Sequence, residues 1–248
     1  MVSVAYISGM KIEIICLLKR SLLLCLAIGL PSVVNAQLTS GHSDVKALRY
    51  IPLGDSYTIC EGASLDESWP LLLSMHLREK GVPVLLVANP ARTGWTTQNL
   101  IDRELPLFDA SEPDFTTLLI GVNDWVQGVS EAVFTKNLRI ILDRIQSKLK
   151  SKNKILLITI PDFSVVPAAA YFHFSSDISS GIAAFNAIIV AEAKSRNLPI
   201  VDIFPLTQQM KNNPTLTAKD GLHPSATEYA LWEKLILPAS IKMLRQTP

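Results

Sequence analysis

The chain has 248 residues, 48% hydrophobic and 18% charged, with 23 Lys and Arg against 22 Asp and Glu. Apolar content this high with a net charge of +1 excludes a disordered chain, and the charge balance gives no reason to expect a nucleic-acid partner. Three cysteines exclude a dense disulfide framework.

The first segment reads as a leader rather than as part of a fold. Lys11, Lys19 and Arg20 precede the apolar run SLLLCLAIGL at 21–30, and Val34-Asn35-Ala36 supplies small residues before Gln37. A basic stretch, a short apolar stretch and small residues at a cleavage point make a secretory signal over residues 1–36. Met10 is an alternative start that gives a more ordinary basic stretch. Ten apolar residues rise about 15 Å as a helix, half of a hydrocarbon core of about 30 Å, so a stable membrane span is not expected after cleavage. An uncleaved anchor and a first helix of the domain are the competing readings. Removing Lys11, Lys19, Arg20 and Glu13 takes the net charge to −1, and Cys60 is then the remaining cysteine. The expected location is the periplasm or the extracellular medium.

From about residue 47, short apolar runs alternate with helical patterns. Strands are expected at Ala47–Leu53, Val84–Ala88, Thr116–Val122, Lys154–Ile160 and Pro199–Phe204. None alternates polar with apolar, which suits strands buried on both faces of a parallel sheet. Helices are expected at Glu131–Lys150, with Ser130 as N-cap, and at Ile178–Arg196, capped near Ser175 or Ser176. Ser64 with Glu67 and Ser225 with Glu228 fit the capping box, so helices are also expected to start near Leu65 and Ala226. The order implies an α/β fold, a three-layer α/β/α sandwich with right-handed crossovers. No repeat or linker divides residues 37–248, so one domain is expected.

In such sheets the loops after the strands gather into one crevice, and four motifs sit on those loops. Gly54-Asp55-Ser56 follows the first strand; it suits an exposed hydroxyl beside a free backbone N–H, and equally a turn with Asp55 or Ser56 capping a helix. Gly94, after the second strand, allows close approach to its backbone N–H, or is a loop glycine ahead of a helix capped by Thr96 or Thr97. Gly121-Val122-Asn123-Asp124 ends the third strand, with Val122 suggesting that strand geometry persists. The Asn123 amide can aim a donor at a developing oxyanion, although Asn and Asp also favour corners of this kind. Asp220-Gly221-Leu222-His223-Pro224 lets a carboxylate fold back onto the imidazole Nδ1–H and leave Nε2 as a base, or is a satisfied loop histidine. A metal site lacks partners, because His42, His76 and His173 have no ligand spacing.

Together these motifs resemble, in order, blocks one, two, three and five of the SGNH (GDSL-type) esterases and lipases. The resemblance covers residues 54–224 and implies a flavodoxin-like sandwich with a central five-stranded parallel sheet, in agreement with the five runs above. It implies Ser56 as nucleophile, His223 as base and Asp220 as the carboxylate orienting it. The Ser56 and Gly94 N–H groups and the Asn123 amide then form an oxyanion hole. No cofactor or metal is implied. The implied function is that of an exported serine esterase acting on a small-molecule or glycan ester (short acyl, lysophospholipid or acetyl-sugar). An acyltransferase using the same residues and a non-catalytic binding module on the same fold are the alternatives. Cys60 stands where a small residue or glycine is expected. Asp55 reads as a local cap and Asp124 as a loop support. Trp95 and Trp125 read either as a substrate platform or as wall packing, and Trp69 reads as core. Residues 168–174 (AAAYFHF) read as a packed loop in preference to a flap.

Overall fold

β-Branched and leucine-rich runs form the strands, and amphipathic stretches between them form the covering helices. The computed structural model describes residues 46–172 and 177–246. The expected leader at 1–36, and Ser175 and Ser176, lie outside them. In chain order the elements are β1 (Leu48–Tyr50), β2 (Leu53–Gly54), α1 (Ser56–Ile59), α2 (Trp69–Glu79), β3 (Val84–Leu86), α3 (Thr97–Asn99), α4 (Leu105–Ala110), β4 (Thr116–Leu119) and α5 (Val122–Val126). There follow α6 (Glu131–Lys148), β5 (Ile155–Ile158), α7 (Ile178–Ser195), β6 (Ile200–Val201), α8 (Phe204–Thr207) and α9 (Ala226–Arg245). All strand pairs are parallel: β1 with β3, and β2–β4–β5–β6 in a four-stranded ladder.

The fold class is the α/β one expected, but the sheet is not one continuous five-stranded ladder. Pro52 has no N–H to donate, and the first strand breaks there into β1 and β2. A parallel bridge from Tyr50 to Phe115 carries the sheet across the break. The Thr116 hydroxyl donates to the Ile51 carbonyl at 2.6 Å and supplies the partner that the interrupted ladder lacks. Taking β1 and β2 as one position, the spatial order is second, first, third, fourth, fifth, the flavodoxin-like order whose switch point lies beside the first strand.

Burial differs along the sheet. β4 and β5 are buried throughout, as their unbroken apolar sequences imply, while β3 is an edge strand with Leu85 49% exposed. Every strand is shorter than its apolar run. Val122 begins α5 instead of extending β4, and Phe204 begins α8 with Pro205 in its first turn. β5 is followed by a side-chain clamp, in which Asn186 accepts from Ile160 N–H (2.7 Å) and donates to Ile160 C=O (2.8 Å).

The helices α2 with α9 and α6 with α7 form packed pairs that flank the strands. Ser130 caps α6 as expected, and α7 is capped by Asp177 through Ser180 N–H. At Ser64 the capping box forms but opens only a 3-10 turn, Leu65–Glu67; α2 starts at Trp69, with Pro70 in its first turn. At Ser225 only half of the box forms, because the Glu228 carboxyl turns inward to accept from Trp232 Nε1 at 2.8 Å. Trp69 is core, its indole N–H donating to Tyr57 C=O at 2.8 Å. No helix among the described residues is long and apolar enough to cross a membrane.

Thr116→Val keeps the side-chain shape but strands the Ile51 carbonyl. The expected loss, read from urea denaturation, is about 1–3 kcal/mol, the cost of a buried group left unpaired.

Candidate active site

Ser56 stands at the point where β2 hands over to α1. A Cβ on Gly54 would lie 2.2 Å from both Leu119 O and Thr58 Oγ1, so only glycine fits where the two strands close on the turn. Asp55 is the N-cap of α1, Oδ1 accepting from Tyr57 N–H at 3.0 Å, which bears out the reading of a local cap. The helix ends after one turn at Cys60, whose backbone is left-handed (φ 64, ψ 51). That conformation explains why glycine is the easier residue there, at roughly 1–2 kcal/mol less strain than a side chain with Cβ. The Cys60 thiol is buried against the carbonyls of Tyr57 and Thr58, and burial pushes its pKa up, so it is held as a thiol and does not serve as a nucleophile.

Gly94 is left-handed at φ 82, and a Cβ there would meet no protein atom within 4 Å. The backbone angle therefore favours glycine, and the space where a Cβ would stand is open. Thr96 caps the helix that follows. This loop is braced to α5 by Asn123 Nδ2 donating to Trp95 C=O (2.9 Å) and Gln127 Nε2 donating to Gly94 C=O (3.3 Å). The Asn123 amide thus uses one donor as a brace and retains a second. Beneath it the buried Asp124 carboxyl accepts from Thr97 N–H at 2.8 Å and from the Thr97 hydroxyl, and burial raises its pKa. Asp124 is a loop support, as expected.

The Asp220–Pro224 turn is built by one carboxylate. Oδ1 accepts from the N–H groups of Leu222 (2.9 Å) and His223 (3.0 Å), and Oδ2 meets His223 Nδ1 at 2.6 Å. Partial burial alone would raise the Asp220 pKa, but the His223 ring and the two amides outweigh it and hold the group below the usual range. With Nδ1–H donating to Asp220, Nε2 is the basic nitrogen. The edge of the Tyr57 ring supports the imidazole, with centroids 6.0 Å apart.

Ser56, Gly94, Asn123 and His223 all line one cavity of about 150 Å³, walled in part by Phe163 and Phe172. Asp220 stands behind His223. The four motifs, with Ser56 and His223 167 positions apart in sequence, therefore meet. A larger cavity of about 640 Å³ holds none of these four residues. Among the described residues no cluster of His, Cys, Asp and Glu is arranged to hold a metal ion. Trp125 packs against Phe163 and over Gly181, which favours wall packing for that residue. The described part of the 168–174 stretch is a largely exposed 3-10 segment, Pro167–Tyr171, in which Ala169 is buried and Tyr171 is 83% exposed. The packed loop expected there holds only at Ala169 and at Phe172, whose ring meets Phe163 edge-on. Phe163 and Phe172 were not singled out from sequence, since nothing local separates a wall residue from a core one.

Residues 53–231 match the GDSL-like lipase/acylhydrolase family, and the chain belongs to that family. An arylesterase of Vibrio mimicus is 33% identical over 98 residues, 40% of this chain and 48% of that protein, so the match spans about half the length of this curated relative. Among solved structures, a lipase/acylhydrolase from Enterococcus faecalis superposes with a TM-score of 0.64 at 22% identity, over 81% of this chain and 99% of that one. The psychrotrophic esterase EstA from a Pseudoalteromonas species, in a structure inhibited by monoethylphosphonate, gives 0.63 at 19% identity, over 80% and 100%. At these identities the structural likeness establishes the fold.

Burial is the main cause that pushes the Asp55 carboxyl up to about 8 from an ordinary 3.8. The folded chain therefore keeps a proton that the unfolded chain releases across that window, so stability is highest below it and falls as pH rises through about 8. Asp55→Asn keeps an acceptor for Tyr57 N–H and is expected to flatten this fall, measured as urea midpoints between about pH 5 and pH 9.

Proposed function

We propose that this protein is an exported serine esterase that hydrolyses esters of short acyl groups through an acyl-enzyme on Ser56. One observation carries the reading: His223 is tied to Asp220 at 2.6 Å and borders the same cavity as Ser56. In the proposed reaction His223 Nε2 takes the Ser56 proton as Oγ attacks the ester carbonyl, and Asp220 stabilises the imidazolium. The Ser56 and Gly94 N–H groups and the second N–H of the Asn123 amide receive the oxyanion. The imidazolium returns its proton to the departing alcohol. Water then attacks the acyl-enzyme with the same histidine as base, releasing the acid and restoring Ser56. The arrangement needs no cofactor for these steps.

The cavity supports a short acyl group. About 150 Å³ with Val126, Phe163 and Phe172 on its wall is the scale of a cavity that holds a benzene-sized group. Acetyl and butyryl esters fit this measure, acetylated sugars among them. Export is supported by Lys19-Arg20, the apolar run at 21–30 and Val34-Asn35-Ala36. Residues 37–248 then form the secreted domain, in the periplasm or outside the cell.

Ser56→Ala is expected to abolish turnover of p-nitrophenyl acetate and labelling by a fluorophosphonate, while Asn123→Ala lowers kcat by about 10²–10³. Full turnover in the Ser56 variant would end the assignment, and product partition between water and added alcohols tests whether water is the acceptor. Across a series of p-nitrophenyl esters, kcat/KM is expected to be highest for acyl chains of about two to six carbons. Phe172→Ala should move that optimum to longer chains; an unchanged profile would remove Phe172 from the acyl wall.

A further inference from the structure

Three carboxyl groups are buried around the turn that carries Ser56, and two have evident uses: Asp55 caps α1 and Asp124 braces the Gly94 loop. The third is Glu104, which has no exposed surface and takes part in none of the ion pairs among the described residues. It ends a π-helical turn, Leu100–Glu104, set between α3 and α4. A π turn widens the helix locally and re-aims the side chains on it, and such turns recur at functional sites. Here the result is that Glu104 Oε2 accepts from Gly54 N–H at 3.0 Å, across 50 residues of sequence, while Oε1 is buried with no partner.

The position of that contact matters. Gly54 is pressed on one side by Leu119 O and Thr58 Oγ1, and β2, which it ends, pairs with β4. The one other strand beside the first-strand position, β3, ends at Leu86 with its ladder set opposite β1, so no strand carbonyl takes the Gly54 N–H. Glu104 supplies the acceptor that the sheet does not. We propose that Glu104 is a positioning residue: its buried carboxyl takes the Gly54 N–H, pins the peptide that enters the nucleophile turn and thereby fixes where Ser56 stands. This rests on the proposed role of Ser56. A misplacement of about 1 Å at a reacting group costs as much as 10²-fold in rate, so a clamp two residues before the nucleophile has leverage that a core contact lacks.

The chemical state of the group fits the role. Burial pushes Glu104 well above the usual carboxyl range against the lowering effect of the Gly54 N–H, and the Asp55 carboxyl adds to the rise. A carboxyl held toward its neutral form still accepts the Gly54 N–H through its carbonyl oxygen.

The test compares Glu104→Gln with Glu104→Met in the full-length protein. Gln keeps a neutral carbonyl acceptor and is expected to retain kcat within about threefold; Met keeps the length, loses the acceptor and is expected to lower kcat by about 10–10² with KM nearly unchanged. The rate of fluorophosphonate labelling should fall in parallel in the Met variant and recover in the Gln variant. Thermal melts establish that each variant is folded. If Glu104→Met does not fold, Glu104→Asp, one methylene too short to reach Gly54, takes its place with the same expected split. A folded Met or Asp variant with wild-type kcat and labelling rate overturns the inference, as does a folded Gln variant as slow as Met. Wild-type protein that neither turns over esters nor reacts with the probe overturns the esterase reading instead, so the two failures are distinct.

Discussion

Two strands pack against each other at Gly54 with no space for a side chain, and the rim of the sheet is organised by that contact. Leu53 and Gly54 of β2 lie opposite Leu118 and Leu119 of β4, and Thr58 in the following turn donates back to Leu119 C=O. The chain must leave the sheet there and enter α1, so Ser56 emerges at the carboxyl end of β2. β4 leaves the sheet just beyond, which brings Asn123 to the same rim. Parallel strands deliver both loops to one side, and the flavodoxin-like order puts the opening beside the first strand.

The carboxyl groups near the cavity are sorted by burial. Asp55, Glu104 and Asp124 are enclosed and raised in pKa, whereas the Asp220 side chain is 42% exposed and is held low by the donors it faces. Burial in an apolar surround disfavours the charged form, and hydrogen bonds from N–H groups favour it. Burial thus raises the three enclosed groups, and the facing donors lower Asp220.

The loops themselves are cross-braced. Asn123 to Trp95, Gln127 to Gly94 and Asp124 to Thr97 tie the second and third loops together, and Tyr57 packs against both His223 and Trp232. Side chains that border the cavity are thus held by contacts to elements far away in sequence, which limits their movement more than loop chemistry alone would do.

The strand runs, the caps at Ser130 and Ser225 and the four motifs were legible because each depends on residues within a few positions of one another. Ser56, Gly94, Asn123 and His223 could be named in order for that reason, and Asp220 could be paired with His223 across three residues. Where the sequence misled, a contact outside the local motif usually decided. The first strand breaks because Pro52 offers no donor and Thr116 supplies one to Ile51, and Glu228 abandons its capping box for Trp232. Val122 turns into a helix where its neighbours suggested a strand. The role of Glu104 is invisible locally, since its partner, Gly54, lies fifty residues earlier. Local backbone chemistry is written in the sequence; which buried donor meets which acceptor is settled only when the packed elements bring them within about 3 Å of each other.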